Sequence, residues 1–211
     1  LRPISKAREG ELYRASNLGP VGRGMTFSRF DTNRRQANHS GYVAALSYSQ
    51  WLLGGQMGLV GEDRVSQVEL VWNGKRGIML YGPKTGCGKT HLACAIANWF
   101  IGAGLLTVFL PTVRIPRNDQ EAILNLADPS ATPVLILDDL GAEKATERLL
   151  ECLYTIVDGR LWAGAPTIVT TNLRPDNIRR YGTGGGHGDK LYSRLMQMCE
   201  CVPVDGPDRR L

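Results

Sequence analysis

Residues 82–90, Gly82-Pro83-Lys84-Thr85-Gly86-Cys87-Gly88-Lys89-Thr90, constrain this chain more than any other stretch. They follow a short apolar run, Ile78-Met79-Leu80-Tyr81, and precede His91 to Ile101, where Leu92, Ala95, Ile96 and Trp99 recur at helical spacing. A glycine-rich turn between a strand and a helix lets successive backbone N–H groups curl around an anion, because glycine carries no Cβ to obstruct the approach. The helix N-terminus adds partial positive charge at the same point. Lys89 is placed to reach β- and γ-phosphate oxygens and the Thr90 hydroxyl to hold Mg²⁺, so Thr85, Gly86, Cys87, Gly88, Lys89 and Thr90 predict a triphosphate site. The strict pattern has glycine where this chain has Pro83. Gly82 lies one place further back, so the loop carries one extra residue, expected to bulge at Pro83-Lys84. The alternative is a glycine-rich turn that holds no ligand.

The rest of the chain alternates in the way such a loop requires. Strands are predicted at 78–81, 105–110, 134–137, 167–171 and 199–204, and helices at 40–53, 91–101, 120–127, 143–162 and 189–198. Gly54-Gly55 is expected to end the first of these helices. Strands apolar throughout, separated by helices, indicate an α/β fold with a parallel sheet covered on both faces. The glycines from Gly182 to Gly188 read as a flexible loop, either a plain linker or a gating element.

Val134-Leu135-Ile136-Leu137 delivers Asp138-Asp139 to the carboxyl end of a buried strand, where α/β sheets bind ligands. Adjacent carboxylates repel unless a cation lies between them. Asp138 is therefore the candidate for the Mg²⁺ shell and Asp139 the candidate to orient or activate water, the alternative being a helix N-cap. Asn172 closes Thr170-Thr171-Asn172 at another strand end. It can position water near a γ-phosphate or serve as an ordinary turn residue. Arg194 and Arg210 are candidates to stabilise phosphoryl charge, Arg194 for a neighbouring subunit, or are plain surface arginines.

Composition narrows the setting. Of 211 residues, 43% are hydrophobic and 21% charged, which excludes wholesale disorder. No apolar run reaches the ~18 residues of a membrane helix. The net charge of +5 belongs to residues 1–36, where eight Lys/Arg face three acids; the remaining residues balance at 17 against 17. Residues 1–25, polar and dotted with glycine, predict a mobile arm anchored by Phe27 and Phe30. Five cysteines without framework spacing point to reduced thiols rather than disulfides or a metal centre.

Taken with Thr26-Phe27…Phe30-Asp31, Gly88-Lys89-Thr90-His91-Leu92-Ala93, Leu137-Asp138-Asp139-Leu140-Gly141-Ala142-Glu143, Thr170-Thr171-Asn172-Leu173, Ser193-Arg194-Leu195 and Gly206-Pro207-Asp208-Arg209-Arg210, the chain resembles the AAA+ ATPases, and among them the DnaC/DnaI-type bacterial helicase loaders, over about residues 26–211. The resemblance implies an AAA+ P-loop NTPase core at 37–211, with a five-stranded parallel sheet in the order 5-1-4-3-2, and a basic arm or linker at 1–36. It implies Asp138 and Asp139 as Walker B, Asn172 as sensor 1, Arg194 as the arginine finger and Arg210 as sensor 2. Nucleotide contacts extend to His91 and Arg210. The implied cofactors are ATP/ADP and Mg²⁺, and the implied activity is a slow ATPase in the cytoplasm, stimulated by assembly or DNA. The implied partners are the replicative DNA helicase, single-stranded DNA and further copies in an ATP-dependent ring or spiral, with no membrane. The chain opens on Leu1, and a helicase-binding domain is expected upstream. The stretch from Leu110 to Val134 is short for this family, and its Arg114 and Arg117 are the weaker candidates for DNA contact.

Two other readings share the core. An IstB-type transposition helper tends to carry Asp-Glu followed by Ile-Gly-Tyr, so Asp138-Asp139-Leu140-Gly141-Ala142 favours the loader. A nucleotide-gated adaptor with little turnover is compatible with Asp139 in place of the longer Glu.

Overall fold

The computed structural model describes residues 4–31, 39–57, 75–181 and 186–208. Its strands β1 (Gly77–Tyr81), β2 (Thr107–Pro111), β3 (Val134–Leu140), β4 (Thr167–Thr171) and β5 (Cys199–Pro203) form one parallel sheet in the order β2-β3-β4-β1-β5. From the other edge this is 5-1-4-3-2, as expected. Successive strand residues face opposite layers. Ile78, Leu80, Ile136 and Ile168 pack with α3 (His39–Met57) and α4 (Lys89–Gly102). Met79, Leu135, Leu137 and Val169 pack with α5 (Gln120–Ala127), α6 (Glu147–Trp162) and α8 (His187–Met198). A short α7 (Pro175–Ile178) precedes α8. Because every strand runs the same way, the ends of β1, β3 and β4 meet at one edge of the sheet, with Tyr81 level with Thr171 and Pro111 level with Asp138.

Several boundaries shift for local reasons. Helix α3 runs through Gly54-Gly55 to Met57, because burial of Ala45, Tyr48, Leu52 and Leu53 outweighs a glycine penalty of about 1 kcal/mol. Helix α6 begins at Glu147 rather than 143, since the Thr146 hydroxyl accepts from the Leu149 N–H at 3.3 Å and sets the cap there.

The expected mobile arm is corrected. Residues 6–15 and 20–24 form α1 (Lys6–Ala15) and α2 (Pro20–Gly24), with Leu12 and Leu18 buried. Asn98 on α4 ties them down. Its Nδ2 donates to the Gly22 and Met25 carbonyls at 3.0 and 2.8 Å, and its Oδ1 accepts from the Tyr13 hydroxyl at 2.9 Å. The Phe109 N–H on edge strand β2 donates to the Ser16 carbonyl at 2.8 Å. A Cβ at Gly22 would collide with Leu18, so glycine permits this close approach. The expected division between residues 36 and 37, and residues 182–185 of the expected flexible loop, lie outside the described residues.

Arg160 on α6 is fully buried. Its guanidinium donates to the carbonyls of Leu126, Thr132, Pro133 and Pro166 and to the Thr167 hydroxyl, at 2.7–3.3 Å. Burial lowers its pKa to about 10, which leaves it charged at neutral pH. It stitches the loops at the foot of β3 and β4, opposite the edge where the strand ends meet. Arg160→Met strands four carbonyls and the buried Thr167 hydroxyl. Urea unfolding should show a loss of about 3–5 kcal/mol with the nucleotide site itself untouched.

Candidate functional site

The ends of β1, β3 and β4 open on a cleft of about 340 Å³, lined by Thr85, Gly86, Gly88, Lys89 and Thr90, by Asp139, Thr170 and Asn172, and at its rim by Met25 and His91. The loop has the shape its glycines allow. Gly86 and Gly88 sit at φ +72° and +105°, in the left-handed region, and Gly88 leads directly into α4. A Cβ at Gly86 would also strike the Asp208 carboxylate, and one at Gly82 would strike the Val204 carbonyl. The segment after β5 thus lies against the loop, and Gly82 serves that packing. The added residue is accommodated where Pro83 and Lys84 stand exposed. There the Lys84 carbonyl turns inward and accepts from the buried Lys89 ammonium at 2.7 Å, beside the Gly82 carbonyl at 3.0 Å. The Cys87 side chain is buried against the Lys84 and Val204 carbonyls, so what it can offer a phosphate is its backbone N–H.

The acidic pair is turned apart. The register of β3 against β4 shifts between Leu137 and Leu140, and Asp139 adopts φ +61°. Asp138 points back into the sheet, 8% exposed, where its Oδ1 accepts from the Thr170 hydroxyl at 2.7 Å. Burial raises its carboxyl above the ordinary carboxylate range, the Thr170 and Thr90 hydroxyls pull the other way, and the Asp139 charge adds to the rise. The Thr170 oxygen also accepts from the Asp139 N–H at 2.8 Å. Asp139 Oδ1 accepts from Asn172 Nδ2 at 3.0 Å. The other amide atom, Asn172 Oδ1, is buried without a hydrogen-bond partner among the described residues.

These features fit a magnesium nucleotide. Gly86 and Gly88 leave a cradle that a side chain would fill, and Lys89 supplies a cation. Thr90 and Asp138 share a hydrogen bond and are hard oxygen donors of the kind Mg²⁺ takes. Thr170 is a further residue of the cleft, one that sequence reasoning did not single out. The strand-end run Thr170-Thr171-Asn172 was its signal, but only the fold shows one hydroxyl bridging both aspartates.

Other candidates are placed differently. His91 reaches the rim, yet its Nε2 lies 3.0 Å from the Thr26 carbonyl and its ring stands edge-on to Phe30, so it fastens the N-terminal segment to α4. Arg194 is not brought to the cleft; on α8 it pairs with Asp158 and lies over the Tyr154 ring. Arg114 is exposed in a single 3₁₀ turn (Thr112–Arg114), and the Arg117 carbonyl accepts from Arg148. Arg210 lies outside the described residues.

Comparison with known proteins gives the chain a family and related folds. Residues 65–211 match the family model for IstB-like ATP binding protein. The chain is 33% identical over 149 residues to the replicative helicase loader DnaI of Bacillus subtilis, covering 64% of this chain and 48% of that protein. It is 28% identical over 139 residues to an ATP-binding protein in an insertion sequence of Mycobacterium tuberculosis, covering 63% and 55%. The chain thus spans about half the length of the curated relatives it matches. A crystal structure of DnaI superposes with a TM-score of 0.67 at 19% identity, covering 92% of this chain and 95% of that one, which shows a shared fold. No helix among the described residues is long and apolar enough to cross a membrane.

The Asp138 shift carries a stability consequence. The unfolded chain ionises this carboxyl at lower pH than the folded one. The contribution of this group to stability is therefore intact below the unfolded pKa and falls as pH rises through the raised folded pKa. Asp138→Asn, which removes the titrating group, should abolish that fall in the melting temperature of the nucleotide-free protein with rising pH and remove the added stabilisation by magnesium-ATP. Thermal melts with and without the ligand check both.

Proposed function

The chain belongs to the family of IstB-like ATP-binding proteins, and on that premise we propose that it hydrolyses ATP and uses the cycle to load a replicative DNA helicase onto single-stranded DNA. The observation that carries the hydrolytic part is the Asp139–Asn172 pair. Both residues line the cleft, the Asn172 amide donates to the Asp139 carboxylate, and Asn172 Oδ1 is a buried acceptor without a partner among the described residues. In this reading Asp139 accepts the proton of the attacking water, and Asn172 orients both the water and the carboxylate. The backbone from Thr85 to Thr90 cradles the phosphates. Lys89 exchanges the Gly82 and Lys84 carbonyls for phosphate oxygens. Thr90 and Asp138 would hold Mg²⁺, which neutralises charge on the β- and γ-oxygens when bound.

Arg194 supports a site completed between subunits. It projects from α8, paired with Asp158 and away from its own cleft, so its guanidinium would serve a neighbour's phosphates. The sequence likeness to a named helicase loader supports loading as the biological use. A second reading is a helper for transposition, which the insertion-sequence relative and the family model favour.

Lys89→Ala should abolish turnover. Arg194→Ala should slow turnover of the assembled protein by roughly 10³-fold or more and be rescued by mixing with Lys89→Ala subunits. Phosphate release measured alone and in the mixture checks this, and normal hydrolysis by Arg194→Ala would exclude the trans arrangement. For the DNA step, ATP-dependent binding to single-stranded DNA should weaken steeply with salt in a titration. If the full-length protein binds neither DNA nor helicase in ATP, the loader reading fails. ATP-dependent filaments on duplex DNA with transposase stimulation would favour the helper.

A further inference from the structure

Four residues beyond Asp139, a second acidic side chain has no role in the site so far. Glu143 lies outside any helix, 9% exposed, and forms no ion pair among the described residues. A buried carboxylate without a cation persists only if several donors hold it. Here the donors come from three segments. The Thr112 hydroxyl, at the exit of β2, donates to Oε2 at 2.6 Å. The Tyr181 hydroxyl, just before α8, donates to Oε1. The Gly141 N–H, in the same turn as Asp139, makes a longer contact of 3.4 Å to Oε1.

Both ends of this joint lead to functional elements. The Thr112 oxygen also lies 3.1 Å from the Asp139 carbonyl, so it stands between Glu143 and the backbone that holds Asp139 at φ +61°. That backbone is strained for a non-glycine residue and needs neighbours to hold it. Tyr181 is in direct contact with α8. A Cβ at Gly188, in the first turn of that helix, would collide with the carbonyls of Tyr181 and Arg179. Helix α8 carries Arg194.

We propose that Glu143 is a positioning residue for Asp139, clamping the Asp139–Glu143 turn between Thr112 and Tyr181 so that the geometry of the hydrolytic carboxylate follows the seating of α8. This rests on the reading that Asp139 activates water. It adds an intramolecular path from the helix at the proposed subunit boundary to the chain's own catalytic turn. ATP binding depends on the loop at 82–90, which Glu143 does not touch, so the clamp governs turnover and leaves affinity alone.

Tyr181→Phe keeps the ring and removes the hydroxyl. With wild type, Lys89→Ala, Glu143→Gln and Glu143→Ala alongside, ATP dissociation constants and kcat are measured well below each melting temperature. The expected result is kcat roughly tenfold lower in Tyr181→Phe with ATP affinity unchanged. Glu143→Gln, which keeps an acceptor and answers the same question should the phenylalanine variant not fold, should retain more turnover than Glu143→Ala. Wild-type kcat in Tyr181→Phe, or affinity falling in step with kcat, would overturn the clamp while leaving the ATPase reading intact. Wild-type protein that binds ATP without Lys89-dependent turnover would overturn that reading, and the clamp with it.

Discussion

Two adjacent carboxylates near the end of a buried strand are turned to different partners, and the site is organised around their separation. The backbone breaks register after Leu137, and Asp139 takes a left-handed conformation. Asp138 is thereby left among the hydroxyls of Thr170 and Thr90, beside the phosphate loop, while Asp139 reaches Asn172 on the next strand. One hydroxyl, that of Thr170, donates to the first acid and accepts from the backbone of the second. The strain at Asp139 and the desolvation of Asp138 both oppose folding. Active sites tolerate such costs because the same arrangement prepares the site for its ligand.

The surrounding architecture keeps that arrangement in place. Parallel strands bring the loop, both acids and Asn172 to one edge, and Arg160 secures the opposite edge through five neutral acceptors. The N-terminal segment packs on α4, and its Met25 reaches the rim of the cleft. A segment that reads as a basic linker is thus part of the wall of the nucleotide cleft. The added residue in the loop has a local effect, turning one more carbonyl towards Lys89.

Periodicity located most elements to within a few residues, and the apolar runs at the start of β1 and β3 were visible because a strand buried on both faces carries few polar positions, whereas β4 buries three threonines, Thr167, Thr170 and Thr171. The N-terminal helices escaped notice because α1 buries only Leu12 and its main tether is a side chain, Asn98, more than 70 residues away. Composition cannot register a contact of that range.

The chemistry of the phosphate loop was legible because it is local. Glycines at 86 and 88 suit a backbone that curls around an anion, and the side chains of Lys89 and Thr90 follow at once in the sequence. Asp138, Asp139 and Asn172 were legible as strand-end residues for the same reason. Tertiary structure alone decided the rest: that Asp139 and Asn172 meet, that Thr170 bridges the acids, that His91 faces the N-terminal segment, that Arg194 faces away from its own cleft, and that Glu143 is buried between Thr112 and Tyr181. Each of those depends on the distance between residues far apart in the chain. Such a distance is set by packing of the sheet and its two helical layers, not by spacing along the sequence.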